Sequence, residues 1–343
     1  MRKIKTFKLL TSLVVLSLFV SCASSNHGSS PDWILSPSSV YNDSEYLSAV
    51  GYGSDRISAE NSAIAAITKV IKQNVKAETK SNESILEQEG SWNIDKGISS
   101  TVATYSDVVI SGIYIQDVYP VKKGKEIEYY ALALVNREET GNFYKSKIRD
   151  LSAVINEQIT EAYQSMGTFA SYSLLKNATE LALECDYYLD ILAVVNPKYY
   201  KVSLPDYGNA ENVAELARKS MSKMIIGFDI TGDIDGRIES AFAKIFTNYG
   251  IKLASSKDVD VSYIFQVDVS FSPMAISTES KNKYIRFVLN SDLIEAVSKK
   301  NVLTYALSGR EAHLSEGEAT QRAIRTLEND IKLVFQEKFE SLF

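Results

Sequence analysis

The sequence predicts an α+β fold in which two small α/β modules with antiparallel sheets are joined by a helical pair. Three observations support this fold class. An alanine-rich stripe with helical spacing lies between strand-like segments at residues 58–77. Two more helical stripes lie within residues 140–197, and alternating strand segments precede a closing helix at residues 318–339. With 343 residues, of which 45% are hydrophobic, the chain can form two or three domains.

The N-terminal segment predicts export. Four Lys or Arg residues precede an apolar run at 9–20, which is the order of a signal peptide over residues 1–21. Because Cys22 directly follows that run, we interpret it as a lipoprotein signal with cleavage before Cys22 and acylation, of the palmitate type, on its thiol. Residues 22–30, which include His27, predict a flexible tether.

The net charge of the chain restricts the classes of molecule that it is expected to bind. Removing the four basic signal residues leaves 33 basic and 43 acidic residues, a net charge of −10. Such a charge argues against nucleic acid and against electrostatic docking on anionic lipid. The expected contact with the lipid bilayer is therefore the acyl group on Cys22. Ala23, rather than Asp, follows that cysteine, so we expect a periplasmic protein of the cell outer membrane.

Residues 31–139 predict the first module. A strand is expected at 45–52, followed by a helix at 58–77 with Ser58 as its N-cap. A polar segment at 79–99 separates this helix from a hairpin. The hairpin strands are predicted at 106–121 and 126–135, around a turn at 122–125.

This module resembles the LPP20 (LPP-twenty) lipoprotein family. The resemblance rests on Pro31-Asp32-Trp33, Ala49-Val50-Gly51-Tyr52-Gly53, the alanine-rich helix, and Tyr129-Tyr130-Ala131-Leu132-Ala133-Leu134-Val135, in that order behind the predicted lipobox. It implies a β-α-β-β domain in an outer-membrane lipoprotein and implies no catalytic residue. The same domain is similar to parts of flagellar accessory lipoproteins.

Residues 140–197 predict a helical hairpin that turns near Gly167 and ends at Pro197. Cys185 is expected on the second helix as a buried small hydrophobe. A linker is predicted at residues 198–213, where Pro205 and Gly208 lie.

Residues 214–343 predict the second module. Strands are expected at 224–230, 251–254, 259–271, 283–297 and 301–309, and helices at 236–249 and 318–339. This order resembles the small α/β domains of the curli-secretion lipoprotein and of the N-terminal part of the Tol-system periplasmic protein.

The sequence contains little material for catalysis. His27 and His313 are its two histidines, and we interpret His313 as a solvated loop residue. Several Ser-x-x-Lys matches occur without the partner motifs of serine catalysis, at Ser173 to Lys176 and at Ser220 to Lys223. We therefore expect no catalytic residue.

Two loops resemble ligand motifs. Gly51-Tyr52-Gly53 resembles the start of a dinucleotide loop, but Arg56 replaces the third glycine, which favours a tight turn before the helix. Residues 229–236 resemble a calcium loop, but Thr231 and Phe242 occupy ligand positions, which favours acids at a helix N-terminus. We therefore expect no metal and no cofactor.

These observations favour a non-enzymatic envelope accessory or scaffold protein with an envelope protein partner. The alternatives are a carrier of an apolar ligand such as lipid, and a flagellar accessory lipoprotein. The twenty tyrosines, which include the pairs at 129–130, 187–188 and 199–200, are compatible with core packing or with a partner contact.

Overall fold

The computed structural model of the chain describes residues 30–86, 110–257, 260–275 and 281–342. The predicted signal peptide, Cys22 and His27 lie outside the described residues, as do residues 87–109. The elements below are those of the described ranges.

The first module is a three-stranded sheet with a long helix. Its strands are β1 (Tyr46–Gly53), β2 (Ile113–Lys123) and β3 (Glu126–Asn136), in the antiparallel order β1-β3-β2. Helix α1 (Arg56–Leu86) covers one face. On the other face Trp33, in a short 3-10 turn, packs against Leu132 and Leu134. The central strand β3 is thus buried on both sides.

Helix α1 begins two residues earlier than predicted, and its N-cap is Asp55 rather than Ser58. The Asp55 carboxylate accepts hydrogen bonds from the Ser58 backbone N–H at 2.9 Å and from the Ser58 hydroxyl at 2.6 Å. Those bonds lower the pKa of Asp55, with the Ser58 hydroxyl as the largest cause. The carboxylate satisfies a free N–H of the first turn and also favours the positive end of the helix.

The Gly51-Tyr52-Gly53 segment belongs to strand β1, so the predicted tight turn is wrong. A Cβ atom on Gly51 would lie 2.1 Å from the Ala63 nitrogen and 2.6 Å from the Ala59 oxygen. The glycines and the alanine stripe therefore allow strand and helix backbones to approach closely, which is a packing role.

The middle of the chain is helical. The hairpin helices are α2 (Arg137–Tyr163) and α3 (Phe169–Val195), and Gly167 adopts φ +90° in the turn between them. Helix α3 ends just before Pro197, as predicted, and Pro197 starts the short helix α4 (Pro197–Lys201). Helix α5 (Ala210–Lys223) begins inside the predicted linker, because the Asn209 side chain caps it.

The second module is a five-stranded sheet with helices on one face. Its elements are β4 (Ile225–Thr231), α6 (Arg237–Asn248), β5 (Lys252–Ser255), β6 (Tyr263–Met274), β7 (Lys283–Glu295), β8 (Asn301–His313), α7 (Glu316–Asp330), a π turn (Ile331–Phe335) and α8 (Gln336–Glu340). The strand order is β5-β4-β6-β7-β8, in which β4 pairs in parallel with β5 and β6. The α+β class is confirmed, and this sheet is mixed rather than wholly antiparallel.

The helical pair is packed against both modules. Ala178, Ala182 and Cys185 of α3 share a core with α1 and β3. At the other end of α3, Phe169 and Tyr172 share a core with α6 and β6. One helix of 27 residues therefore reaches from one core to the other.

Candidate functional site: a groove along the second helix

A groove lies between helix α2 and the connecting segment 202–206. Its cavity volume is about 620 Å³, within the usual range for ligand clefts. The lining residues come from one face of α2 and from the facing segment: Asn142, Lys145, Ser146, Ile148, Arg149, Ser152, Ala153, Asn156, Val202, Ser203, Leu204, Pro205 and Asp206.

Helix α2 presents two different faces. Tyr144, Ile148 and Ile155 are buried against the rest of the molecule. Apart from the buried Ile148, the groove residues of α2 recur every three or four positions from Asn142 to Asn156, so they share the adjacent face of the helix. This face carries amides, hydroxyls and two cations.

The opposite wall of the groove is apolar. Val202 and Leu204 are 69% and 55% exposed, and Pro205 follows them. Large aliphatic side chains at these exposures leave apolar surface in water. The groove therefore combines a polar, basic wall with an apolar one.

The charge at the groove is mainly positive. Lys145 and Arg149 are exposed on α2, and Asp206 is the one acidic residue among the lining residues. Lys145 Nζ lies 4.7 Å above the centroid of the Tyr199 ring. Arg149 pairs with Asp150 at 2.9 Å, but both side chains are largely exposed, so this pair holds the guanidinium weakly. Both cations can turn towards a ligand.

A layer of polar side chains lies beneath the groove. The Ser152 hydroxyl lies 3.8 Å from the Cys185 thiol, and Tyr207 packs against the same helical core. Burial raises the pKa of the Cys185 thiol, so the thiol is neutral and unreactive. Within the described part of the chain, the buried Ser203 hydroxyl oxygen has no hydrogen-bond partner. Ser203 lines the groove, but this oxygen is buried beneath the groove surface.

Asp186 fixes the end of the segment that forms the apolar wall. Its Oδ2 accepts a 2.9 Å hydrogen bond from the Ala210 N–H, at the first turn of α5. Burial raises the pKa of Asp186 to about 6, and the Ala210 N–H opposes this shift. The chain that follows the apolar wall is thereby bonded to helix α3.

The structure places the other sequence candidates away from this groove. His313 is half-buried at the end of β8, opposite Lys283, so its interpretation as a solvated loop residue is wrong. Ser220 is buried and accepts from the Gly167 N–H at 3.2 Å, which is a packing role. Asp233 accepts from the Glu239 N–H at 2.9 Å, which confirms the interpretation as an acid at a helix N-terminus.

Tyr187 is buried, and the other five tyrosines of the three pairs are half-buried. Within the described ranges, no group of three or more His, Cys, Asp or Glu side chains is placed to hold a metal ion. None of the described helices combines the length and the apolarity needed to cross a bilayer.

The sequence interpretation missed the groove residues. It places residues 202–206 in a linker and does not single out Lys145 or Arg149. Two signals could have found them: the cations are four residues apart on one helix face, and Val202 and Leu204 are apolar residues in a supposed linker.

Solved structures with low sequence identity resemble this chain in part. A minor lipoprotein from Acinetobacter baumannii is 12% identical, with 34% of this chain and 94% of that chain covered and a TM-score of 0.27. A secreted protein from Helicobacter pylori is 12% identical, with 84% and 98% covered and a TM-score of 0.35. Rare lipoprotein B from Shewanella oneidensis is 7% identical, with 34% and 92% covered and a TM-score of 0.24.

No curated protein sequence matches the chain. The likeness of the second module to curli-secretion and Tol-system domains stays a prediction. The model of the LPP20 lipoprotein family matches residues 31–136, about a third of the chain. Residues 31–136 therefore form an LPP20 lipoprotein region, which confirms the family predicted from the motifs of this segment.

Proposed function

We propose that this chain is a membrane-anchored envelope lipoprotein that acts as a non-enzymatic accessory or scaffold protein. In this proposal, acylated Cys22 holds it on the outer membrane, and the groove along α2 binds a segment of an envelope protein partner. The segment is extended and carries acidic and apolar side chains. The LPP20 region supports the lipoprotein part of the proposal.

One observation carries the binding part: an open groove of about 620 Å³ places an apolar wall opposite two cations. Acidic side chains of a bound segment would pair with Lys145 and Arg149. Its apolar side chains would cover Val202 and Leu204, and removing that surface from water drives association.

The same observation disfavours a lipid carrier. An acyl chain is stabilised by an enclosed apolar cavity, whereas this groove is open and includes Asn142, Ser146 and Asn156 among its lining residues. Those side chains would lose hydrogen bonds to water beneath a hydrocarbon chain. A flagellar role, which the family resemblance also allows, would be one identity of the partner.

Site-specific photo-crosslinking in native cells tests the proposal. A photoreactive amino acid at Asn142 reports on the groove, and one at Lys147, on the same helix but outside the groove lining, serves as its control. We expect one major protein adduct from position 142 and none of the same size from position 147. The crosslinked partner peptide should contain both acidic and apolar residues.

Charge reversal gives the matched comparison. Arg149→Glu should remove the adduct at position 142, whereas Lys147→Glu, which changes the net charge equally, should leave it unchanged. A lipid adduct at position 142 would favour the lipid-carrier function over the scaffold function. Equal protein adducts at both positions, or an adduct that survives Arg149→Glu, would overturn the proposed groove contact.

A further inference from the structure

The sheet of the second module has one open face. Along β6, the residues Tyr263, Phe265, Val267 and Val269 are buried under the helices, and alternate residues between them point to the other side. On that side, Gln266, Asp268 and Ser270 are exposed. An antiparallel sheet with one solvated face is common, but here the charges on that face are unevenly distributed.

Arg286 of β7 and Arg310 of β8 are direct cross-strand partners on this open face, and both are exposed. Directly opposite residues of an antiparallel pair project to the same face, with Cβ atoms about 4.5–5.5 Å apart. Like charges at such positions destabilise a sheet. Water and salt screen part of this repulsion, and a bound anion between the two side chains would relieve the rest.

The described residues supply no compensating interaction. Their hydrogen bonds and ion pairs include none to Arg286 or Arg310. Glu311 adjoins Arg310 in sequence but points to the helix side, where it accepts from the Thr326 hydroxyl at 2.8 Å. Along the strands of the open face, the closest described acid is Asp268, which pairs with Asn290, four residues from Arg286.

That separation makes Asp268 a weak partner. Four residues of strand span about 13 Å, which exceeds the screening length of about 8 Å at physiological salt. Asp268 is also engaged locally, because its Oδ1 accepts a 2.8 Å hydrogen bond from the Thr231 hydroxyl. The two guanidinium groups consequently form a local positive site on a chain with a net charge of −6.

Hydroxyl groups surround the two arginines. Ser272 of β6 is the partner of Arg286 on its other side, and Ser308 of β8 lies two residues before Arg310 on the same face. Arginine forks donate two parallel hydrogen bonds to an oxyanion. A carboxylate has two oxygens, which one fork occupies, whereas the phosphate of a monoester has three terminal oxygens, which two forks and a hydroxyl can share.

We propose that Arg286, Arg310 and Ser272 form a binding site for a monoester phosphate group, carried by a soluble phosphate ester or by the headgroup of a phosphatidic acid. The site lies on the sheet of the second module. It is separate from the groove along α2 and does not depend on the proposed function.

Titration of the purified full-length chain tests this site. The probes are inorganic phosphate and dihexanoylphosphatidic acid, with the zwitterionic phosphodiester dihexanoylphosphatidylcholine as the comparison, all at constant ionic strength. The readout is the NMR signal of the arginine Nε–H groups. We expect a saturable change in two arginine signals with the anionic probes.

The double variant Arg286→Gln/Arg310→Gln should weaken binding by at least about tenfold. The matched control is Arg325→Gln/Lys332→Gln, which changes the net charge equally on exposed positions of the helical side and should bind as the unchanged chain does. The variant that lacks both arginines should also unfold at a slightly higher temperature without phosphate, because a like-charge pair is removed.

The outcomes separate the two sources of phosphate. Binding of inorganic phosphate supports a site for the phosphate group itself, and binding of the anionic lipid alone supports a site for headgroups. The proposal is overturned if neither anionic probe saturates, if the zwitterionic lipid binds equally, or if the control variant loses as much affinity as the double variant.

Discussion

Arg137 Nη1 donates a 2.8 Å hydrogen bond to the carbonyl oxygen of Val195, although 58 residues separate them in the chain. The same nitrogen donates to the Val194 carbonyl at 2.8 Å, and Nε donates to the Asp43 carbonyl at 2.8 Å. The terminal carbonyls of α3 have no helical partner and carry partial negative charge. One guanidinium thus joins the start of α2, the end of α3 and the entry to β1.

Arg137→Gln is expected to destabilise the chain by roughly 2 kcal/mol, because several charge-assisted hydrogen bonds to half-buried carbonyls are lost. The urea midpoint of the full-length chain measures this effect. Arg149→Gln provides the comparison, since its exposed pair with Asp150 should contribute less than about 0.5 kcal/mol. Equal midpoints for the two variants would contradict the role of Arg137.

Gly51→Ala should destabilise the first module by about 3 kcal/mol or more. The new methyl group would lie 2.1 Å from the backbone nitrogen of Ala63, and a backbone cannot move aside as a flexible side chain does. Gly317→Ala is the matched control, because nothing lies within 4 Å of its added Cβ in helix α7. That change should stabilise the chain by about 0.5–1 kcal/mol. Thermal unfolding of both variants gives the comparison.

Asp186 should make stability fall as pH rises from about 4 to 7. Its pKa is about 6 in the folded chain against an ordinary value of 3.8, because burial disfavours the charged form. The folded state therefore holds the proton more tightly than the unfolded state does. The resulting stabilisation is fully present below the pKa of the unfolded state and is lost as the pH rises through the pKa of the folded state.

Asp186→Asn removes that titration but keeps an oxygen for the Ala210 N–H. We expect the variant to equal the original near pH 4 and to exceed it by roughly 2 kcal/mol at pH 8. Urea unfolding at the two pH values measures the difference. A constant difference between the variant and the original across this range would assign the effect to packing instead.

Cys22→Ala should abolish acylation and normal processing of the N-terminus, because the thiol is the expected acceptor of the lipid. Mass spectrometry of the N-terminal peptide and detergent phase partitioning measure the two effects. Cys185→Ala, which removes the buried thiol of α3, should leave both unchanged. Normal processing and membrane partitioning of Cys22→Ala would contradict lipidation at this residue.

Local patterns along the chain predict much of the first module. The alternation in β2 and the alanine stripe of α1 predict their elements because strand and helix periods place side chains on defined faces. The order of the motifs from Pro31 to Val135 also predicts the LPP20 family, which the family match confirms. The predicted identity of the α1 cap was wrong because both Asp55 and Ser58 are capping residue types, and geometry alone separates them.

The sequence by itself determined most of the elements, the fold class and the family of residues 31–136, because these depend on neighbours along the chain. Tertiary structure alone decided the parallel pairing of β4, the groove between α2 and residues 202–206, and the cross-strand contact of Arg286 with Arg310. Each of these brings together segments that are distant in sequence, which helical or strand periodicity does not connect. Burial and charge at such contacts depend on how the elements pack, so the sites appear only once the chain is folded.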